Sequence, residues 1–263
     1  MKIYFMDITV VKRTLFIAIL GLVISAPATL MAEEEEKAAD SYIYATYFNC
    51  DVSTQEQADE LVKANTAPVY DAAVADGTIT QWGWLAHHTG GKWRRLQFHG
   101  SDTIAGLFKA QETIGERITA AQGDSPDGFS KICGAHDDYI WKGEAGSAAG
   151  TKRGPAGLSV YHVCDIAKEG RADEIVKKVF APVFDKAVAD GKIASWGWSS
   201  HLVGGKYRRL GTTTGANYAD LVMAQGDIIR SLYGDGDNAE ANEFSTICTS
   251  HSDYLWDIQH EKS

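Results

Sequence analysis

The sequence predicts an α+β fold made of two tandem copies of one βαββαβ unit of about 110 residues. Three observations carry this: an internal match at a shift of 114 places, an alternation of strand-like and helix-like apolar patterns in both copies, and four cysteines at equivalent positions. In the match, 39 residues from Ala58 align without a gap to 39 from Ala172, with 25 identities. It reaches back to Cys50 against Cys164 and, after one extra residue, forward from FSKICGAHDDYIW to FSTICTSHSDYLW.

The elements follow in order. Tyr42 to Cys50 is rich in aromatic residues and reads as a strand. Residues 55–76 read as a helix, with Ile175, Val176, Val179, Phe180, Val183 and Phe184 on the apolar stripe of copy two. Pro68 and Pro182 fall inside it and should kink or split it, because proline lacks the N–H and its ring crowds the preceding turn. Two strands follow, joined at Gly90-Gly91 or Gly204-Gly205 in what reads as a tight hairpin. A second helix carries Ile104, Leu107, Phe108, Ile114 and Ile118, with Gln111 and Gln225 expected at its edge, and a last strand runs from Cys133 to Trp141. The order is that of the ferredoxin-like unit.

The N-terminus sets the compartment. Lys2, Lys12 and Arg13 precede the apolar run Thr14 to Ile24, and small residues lead to Ala32 before EEEEK begins. That pattern is a cleavable secretory signal over 1–32 and a periplasmic or secreted destination; an uncleaved anchor is the alternative, against which stands a run shorter than the ~20 residues of a span. The remaining layout is an acidic lead-in 33–40, repeat one 41–143, a Gly/Ala/Ser-rich linker 144–156, repeat two 157–258 and a tail 259–263. Loss of the leader moves the formal charge from −10 to −12, since three basic residues and Asp7 go with it. Acidity of this order argues against nucleic acid and anionic membranes as partners.

Tandem βαββαβ units resemble the dimeric α/β-barrel superfamily, in which two ferredoxin-like sheets face each other. The resemblance implies one pseudo-symmetric barrel, a fold shared by antibiotic-biosynthesis monooxygenases, chlorite dismutases and stress-response proteins. It is a likeness of topology over nearly the whole mature chain and carries no particular active site. Four cysteines permit three connectivities. The ferredoxin-like sheet order 4-1-3-2 makes the first and last strands antiparallel neighbours, which favours Cys50–Cys133 and Cys164–Cys248 as structural disulfides in an exported protein.

Candidate site residues are those the copies share. The hairpin supplies His87, Arg94 and Arg95, with His201, Arg208 and Arg209 in copy two, a set suited to a carboxylate or other anion. The last strand supplies His136 and Asp138, matched by His251 and Asp253, and the first strand Tyr47 and Tyr161, so a Tyr/His/Asp cluster is expected on one sheet face. Core tryptophans and solvated arginines explain much of the same pattern. A His-x-Asp pair is two ligands where a metal needs three or four, so no metal and no cofactor is predicted, with haem or a metal the minor alternative. No GxSxG, HExxH, P-loop or dinucleotide motif is present. The expected function is binding of a small anionic or aromatic molecule, or a stress-related role, by a monomer or homodimer. The alternatives are an enzyme of the cofactor-independent monooxygenase or lyase type and a structural interaction module.

Overall fold

The computed structural model describes residues 40–122, 128–148, 150–234 and 236–263. The expected leader 1–32, and the lead-in up to residue 39, lie outside them. Repeat one runs β1 (Tyr42–Asn49), α1 (Gln55–Leu61), α2 (Ala67–Ala75), β2 (Gln81–Gly90), β3 (Arg95–Ser101), α3 (Ile104–Gln122), α4 (Phe129–Ile132) and β4 (Ala135–Gly146). Repeat two runs β5 (Ala156–Cys164), α5 (Glu169–Ile175), α6 (Ala181–Ala189), β6 (Ser195–Val203), β7 (Arg209–Gly215), α7 (Tyr218–Tyr233), α8 (Ala239–Ile247) and β8 (Cys248–Lys262).

The first helix of each repeat is split where its proline falls. A five-residue π-turn, Val62–Thr66 or Val176–Phe180, separates the halves, and the proline sits at the start of the second half. There its fixed φ suits the opening turn of the second half. The last strand is preceded by a short helix, α4 or α8, which the sequence reading did not assign.

Each repeat forms a four-stranded antiparallel sheet, in the order β4-β1-β3-β2 and β8-β5-β7-β6. β2 pairs with β8 and β4 with β6, which closes all eight strands into one barrel. This closure explains why β4 runs to Gly146 and β8 to Lys262, past the ends expected of the repeats: those residues pair with the other repeat, as Trp82 does with Lys262. It also replaces the expected tight hairpin. The β2–β3 ladder stops at Ala86 opposite Arg95, with one further bond from the His87 N–H to the Arg94 carbonyl, and residues 87–90 continue the pairing with β8 that begins at Trp82. Gly90, at φ +123°, lies so close to β8 that a Cβ would meet the Asp253 carbonyl oxygen at 2.4 Å. Glycine is needed for that approach rather than for a two-residue turn.

Two kinds of core result. The barrel interior is filled by aromatic rings from both repeats, among them Tyr47, Trp93, Trp141, Tyr161, Tyr207, Tyr254 and Trp256. Helices cover the outer face of each sheet. Trp82 and Trp84 lie under them in repeat one, Trp196 and Trp198 in repeat two. Each indole N–H donates to a helix carboxylate, Asp71, Asp59, Asp185 and Asp173 respectively, at 2.7–2.8 Å. Both disulfides are present as the sheet order requires, Cys50–Cys133 and Cys164–Cys248. Among the described residues no helix is long and apolar enough to cross a membrane.

Candidate functional site

The barrel separates the residues the copies share. Tyr47 and Tyr161 point into the interior and are almost wholly buried, with burial raising both hydroxyl pKa values. His136 and Asp138 are half-exposed on the outer side and 3.1 Å apart, and His251 and Asp253 likewise at 3.6 Å. Tyrosines and His/Asp pairs therefore lie on opposite faces. Counting alternation from the cysteines does not reveal this, because Cys50 lies beyond the end of β1 and Cys133 caps α4, outside the regular pleat.

The arginines are held by the first helices. Arg95 is 3% exposed, and its Nε and Nη2 donate to the two carboxylate oxygens of Asp59 at 2.6 Å. Arg209 grips Asp173 in the same two-pronged way at 2.7 Å. Arg94 donates to Gln55, and Arg208 to Glu169 at 2.5 Å; the two lie beside His87 and His201 respectively. Burial first, and the neighbouring arginine charge second, hold both histidines below the ordinary imidazole pKa.

A cavity of about 390 Å³ belongs to repeat two alone, between the outer face of its sheet and its helices. Its sheet wall is Leu158, Val160 and His162 of β5, Trp196 and Trp198 of β6, Gly211 and Thr213 of β7, and His251 and Asp253 of β8. Phe180, Phe184, Gln225, Ile228, Leu232 and Phe244 close it from the helix side. Gln225 thus faces the cavity, whereas its counterpart Gln111 is solvent-exposed. His162 packs against Trp198, Phe244 and His251 at ring separations of 5.4, 5.6 and 5.8 Å. Burial, reinforced by His251, pushes its pKa down to about 3, so the ring is neutral at physiological pH. Desolvation also raises the carboxyl of Asp253.

Repeat one fills the equivalent space with its own side chains. Where repeat two has Leu158, His162, Gly211 and Thr213, repeat one has Tyr44, Phe48, Gln97 and His99. His99 is fully buried, stacks on Tyr44 at 5.6 Å and has its pKa lowered by burial to about 4. Phe48 packs on Trp84 and Phe129. Removing the Gln97 side chain at position 211 and shrinking His99 to Thr213 accounts for the opening. His162, Gly211 and Thr213 escape a reading based on what the copies share; the signal is where they differ.

No described protein family matches the sequence, and no curated protein does. Solved structures do match in three dimensions. A Lactobacillus acidophilus protein described as a monooxygenase superposes with a TM-score of 0.57 at 8% identity, covering 85% of this chain and 96% of its own. A Fusobacterium nucleatum protein described in the same way gives 0.57 at 7% identity, covering 86% and 95%. An anthrone oxidase-like protein gives 0.54 at 12%, covering 86% and 94%. The fold is the dimeric α/β barrel. Here both halves of the barrel come from one chain.

The match also corrects one expectation. Structures with this architecture include a haem-binding protein from Thermus thermophilus, at a TM-score of 0.46, and chlorite dismutase from Candidatus Nitrospira defluvii, at 0.45. An expectation of no cofactor therefore does not stand for this architecture. Within this chain, His162 offers a neutral imidazole with no hydrogen-bond partner among the described residues, as an axial ligand to iron would need. The cavity lining contains no lysine or arginine to receive propionate groups, and Asp253 adds negative charge instead. The residues present thus meet one of a haem's two requirements and not the other.

Proposed function

We propose that this chain is an exported small-molecule-binding protein whose repeat-two cavity takes a flat, largely apolar ring compound, with one polar group directed at His162. One observation carries the reading: the same sheet–helix space is open in repeat two and plugged in repeat one, where the His99 imidazole helps to fill it, whereas in the open copy the His162 imidazole lines the cavity. A cavity of about 390 Å³ walled by Trp196, Trp198, Phe180 and Phe244 stabilises a ring compound by removing apolar surface from water. His162, His251 and Asp253 then set its orientation. The two disulfides accord with an oxidising compartment.

Titration of the purified chain with 1-naphthol, followed by tryptophan fluorescence and melting temperature, tests this. Saturable 1:1 quenching with a rise in melting temperature is expected. Absence of both for naphthol, and for hemin followed by its Soret band, would overturn the reading.

The neutral state of His162 favours a second reading, an oxygenase-type reaction of the bound ring compound. A neutral imidazole in an apolar cavity can accept a hydrogen bond from the hydroxyl of a bound phenol and hold the ring in place for reaction with dioxygen. The fold likeness to proteins described as monooxygenases lends this support without deciding it. Oxygen uptake with naphthol or anthrone that is lost in His162→Gln, while binding persists, is the expected result. Uptake unchanged in that variant would dismiss His162 from such a role.

A further inference from the structure

The barrel interior contains a second cavity, of about 140 Å³, on the other side of the sheet from the first. It too comes from divergence between the copies. Repeat one presents Ala45, Leu85 and Phe98 to the interior; the positions that match them in repeat two hold Ser159, Ser199 and Thr212. Leucine and phenylalanine have been exchanged for small hydroxyl residues, which both vacates volume and makes one wall polar. The opposite wall remains apolar, with Leu85, Leu96 and Phe98.

A hydroxyl inside a barrel is destabilising if nothing bonds it. The Tyr161 hydroxyl, on a fully buried ring, has no well-formed hydrogen-bond partner among the described residues, and the Ser199 and Thr212 side chains line the same cavity. Ser159 lies beside the Tyr161 hydroxyl and directly across from Thr212. The cavity also contains a cation. Arg153, from the segment before β5, lines it and makes a single 3.1 Å contact with Glu261 near the end of β8. A guanidinium fork is matched by a carboxylate gripped at two points, and here the Arg153 Nε has no partner. Glu261 meets it at one point only, and burial raises its carboxyl pKa against the pull of Arg153.

We propose that this interior cavity is a second ligand site, for a small monocarboxylate of single-ring or short branched-chain size. Arg153 takes the carboxylate, the hydroxyls of Ser159, Ser199 and Thr212 take its remaining lone pairs, and the apolar wall takes the ring or chain. The volume sets the size, since apolar cavities of roughly 150 Å³ admit benzene. Water alone would wet the polar wall and leave the leucines and Phe98 unfilled. The site is independent of the sheet–helix cavity and does not rest on the function proposed for it.

The test uses 4-fluorobenzoate with the full chain, read by 19F NMR and calorimetry. Saturable binding of one equivalent is expected, unchanged in Gly211→Gln, which closes only the sheet–helix cavity. Ser199→Leu, which restores the residue of repeat one, should weaken binding at least tenfold. Ser159→Ala, too small a change to disturb folding, should weaken it several-fold. Glu261→Gln should tighten it by releasing Arg153. Loss of binding in Gly211→Gln, equal affinity in both serine variants, or no saturable binding together with a crystal structure showing only ordered water in the barrel would each overturn the proposal.

Discussion

His162 and His251 face each other across the β5–β8 ladder as directly paired residues, their rings 5.8 Å apart. Two imidazolium charges so placed would repel, and His162 is buried while His251 is half-exposed, so the proton is excluded from His162 first. A histidine whose pKa falls on folding stabilises fully above its unfolded value near 6.5, and less as pH falls toward the folded value. For His162 that window runs from about 6.5 down to about 3, and for His99 down to about 4. Asp253, with its raised carboxyl, works in the opposite sense and offsets part of the effect. Urea denaturation at pH 7, 5.5 and 4.5 should show stability falling by on the order of a few kcal/mol. His99→Thr combined with His162→Phe should flatten the fall.

The plugging residues of repeat one should be transferable. Gly211→Gln with Thr213→His should abolish naphthol binding while leaving the melting temperature unchanged or higher, because the cavity fills as it does around Gln97 and His99. The reverse exchange, Gln97→Gly with His99→Thr, should lower stability by about 2–5 kcal/mol, as cavity-forming substitutions do. Naphthol stoichiometry by calorimetry should rise above one in that variant.

Arg209 and Asp173 are a framework pair. Asp173→Ala leaves the Arg209 guanidinium, only 4% exposed, with Glu169 as its one remaining carboxylate partner, and also leaves the Trp198 N–H without its acceptor. A loss of about 3–5 kcal/mol is expected. Disrupting the exposed Lys186–Asp190 pair by Lys186→Ala should cost less than about 1 kcal/mol. Chemical denaturation of the two variants side by side checks the contrast.

Each disulfide closes a separation of 83 or 84 residues within its own repeat. Replacing Cys50 and Cys133 by serine should destabilise by up to about 4 kcal/mol in the chain-entropy account, with a similar figure for Cys164 and Cys248. Neither pair joins the repeats, so reduction should loosen each half alike. Melting curves with and without reductant measure this.

The architecture was legible because the chain states it twice. Periodicity that is ambiguous in one copy, such as the helix around Pro68, is clear beside the second at Pro182, and Cys50 and Cys133 could be paired once sheet order was known. What stayed hidden was how the sheets join. The pairing of His87–Gly90 with β8 rests on contacts between residues some 165 places apart, and no local pattern encodes those. The site stayed hidden for another reason. Arg95 and Arg209 are shared because each holds its helix to its sheet, so similarity between the copies marked the frame. His162 against Phe48 and Ser199 against Leu85 are single differences, and their meaning depends on which face of the barrel each occupies.

Joining the two halves in one chain has a further consequence. In a barrel assembled from identical subunits, every substitution arrives in duplicate, and neither a plugged nor an opened cavity can be confined to one side. A fused pair removes that symmetry constraint, so repeat one is free to serve as ballast for stability while repeat two accumulates the smaller, polar residues that hollow a protein out.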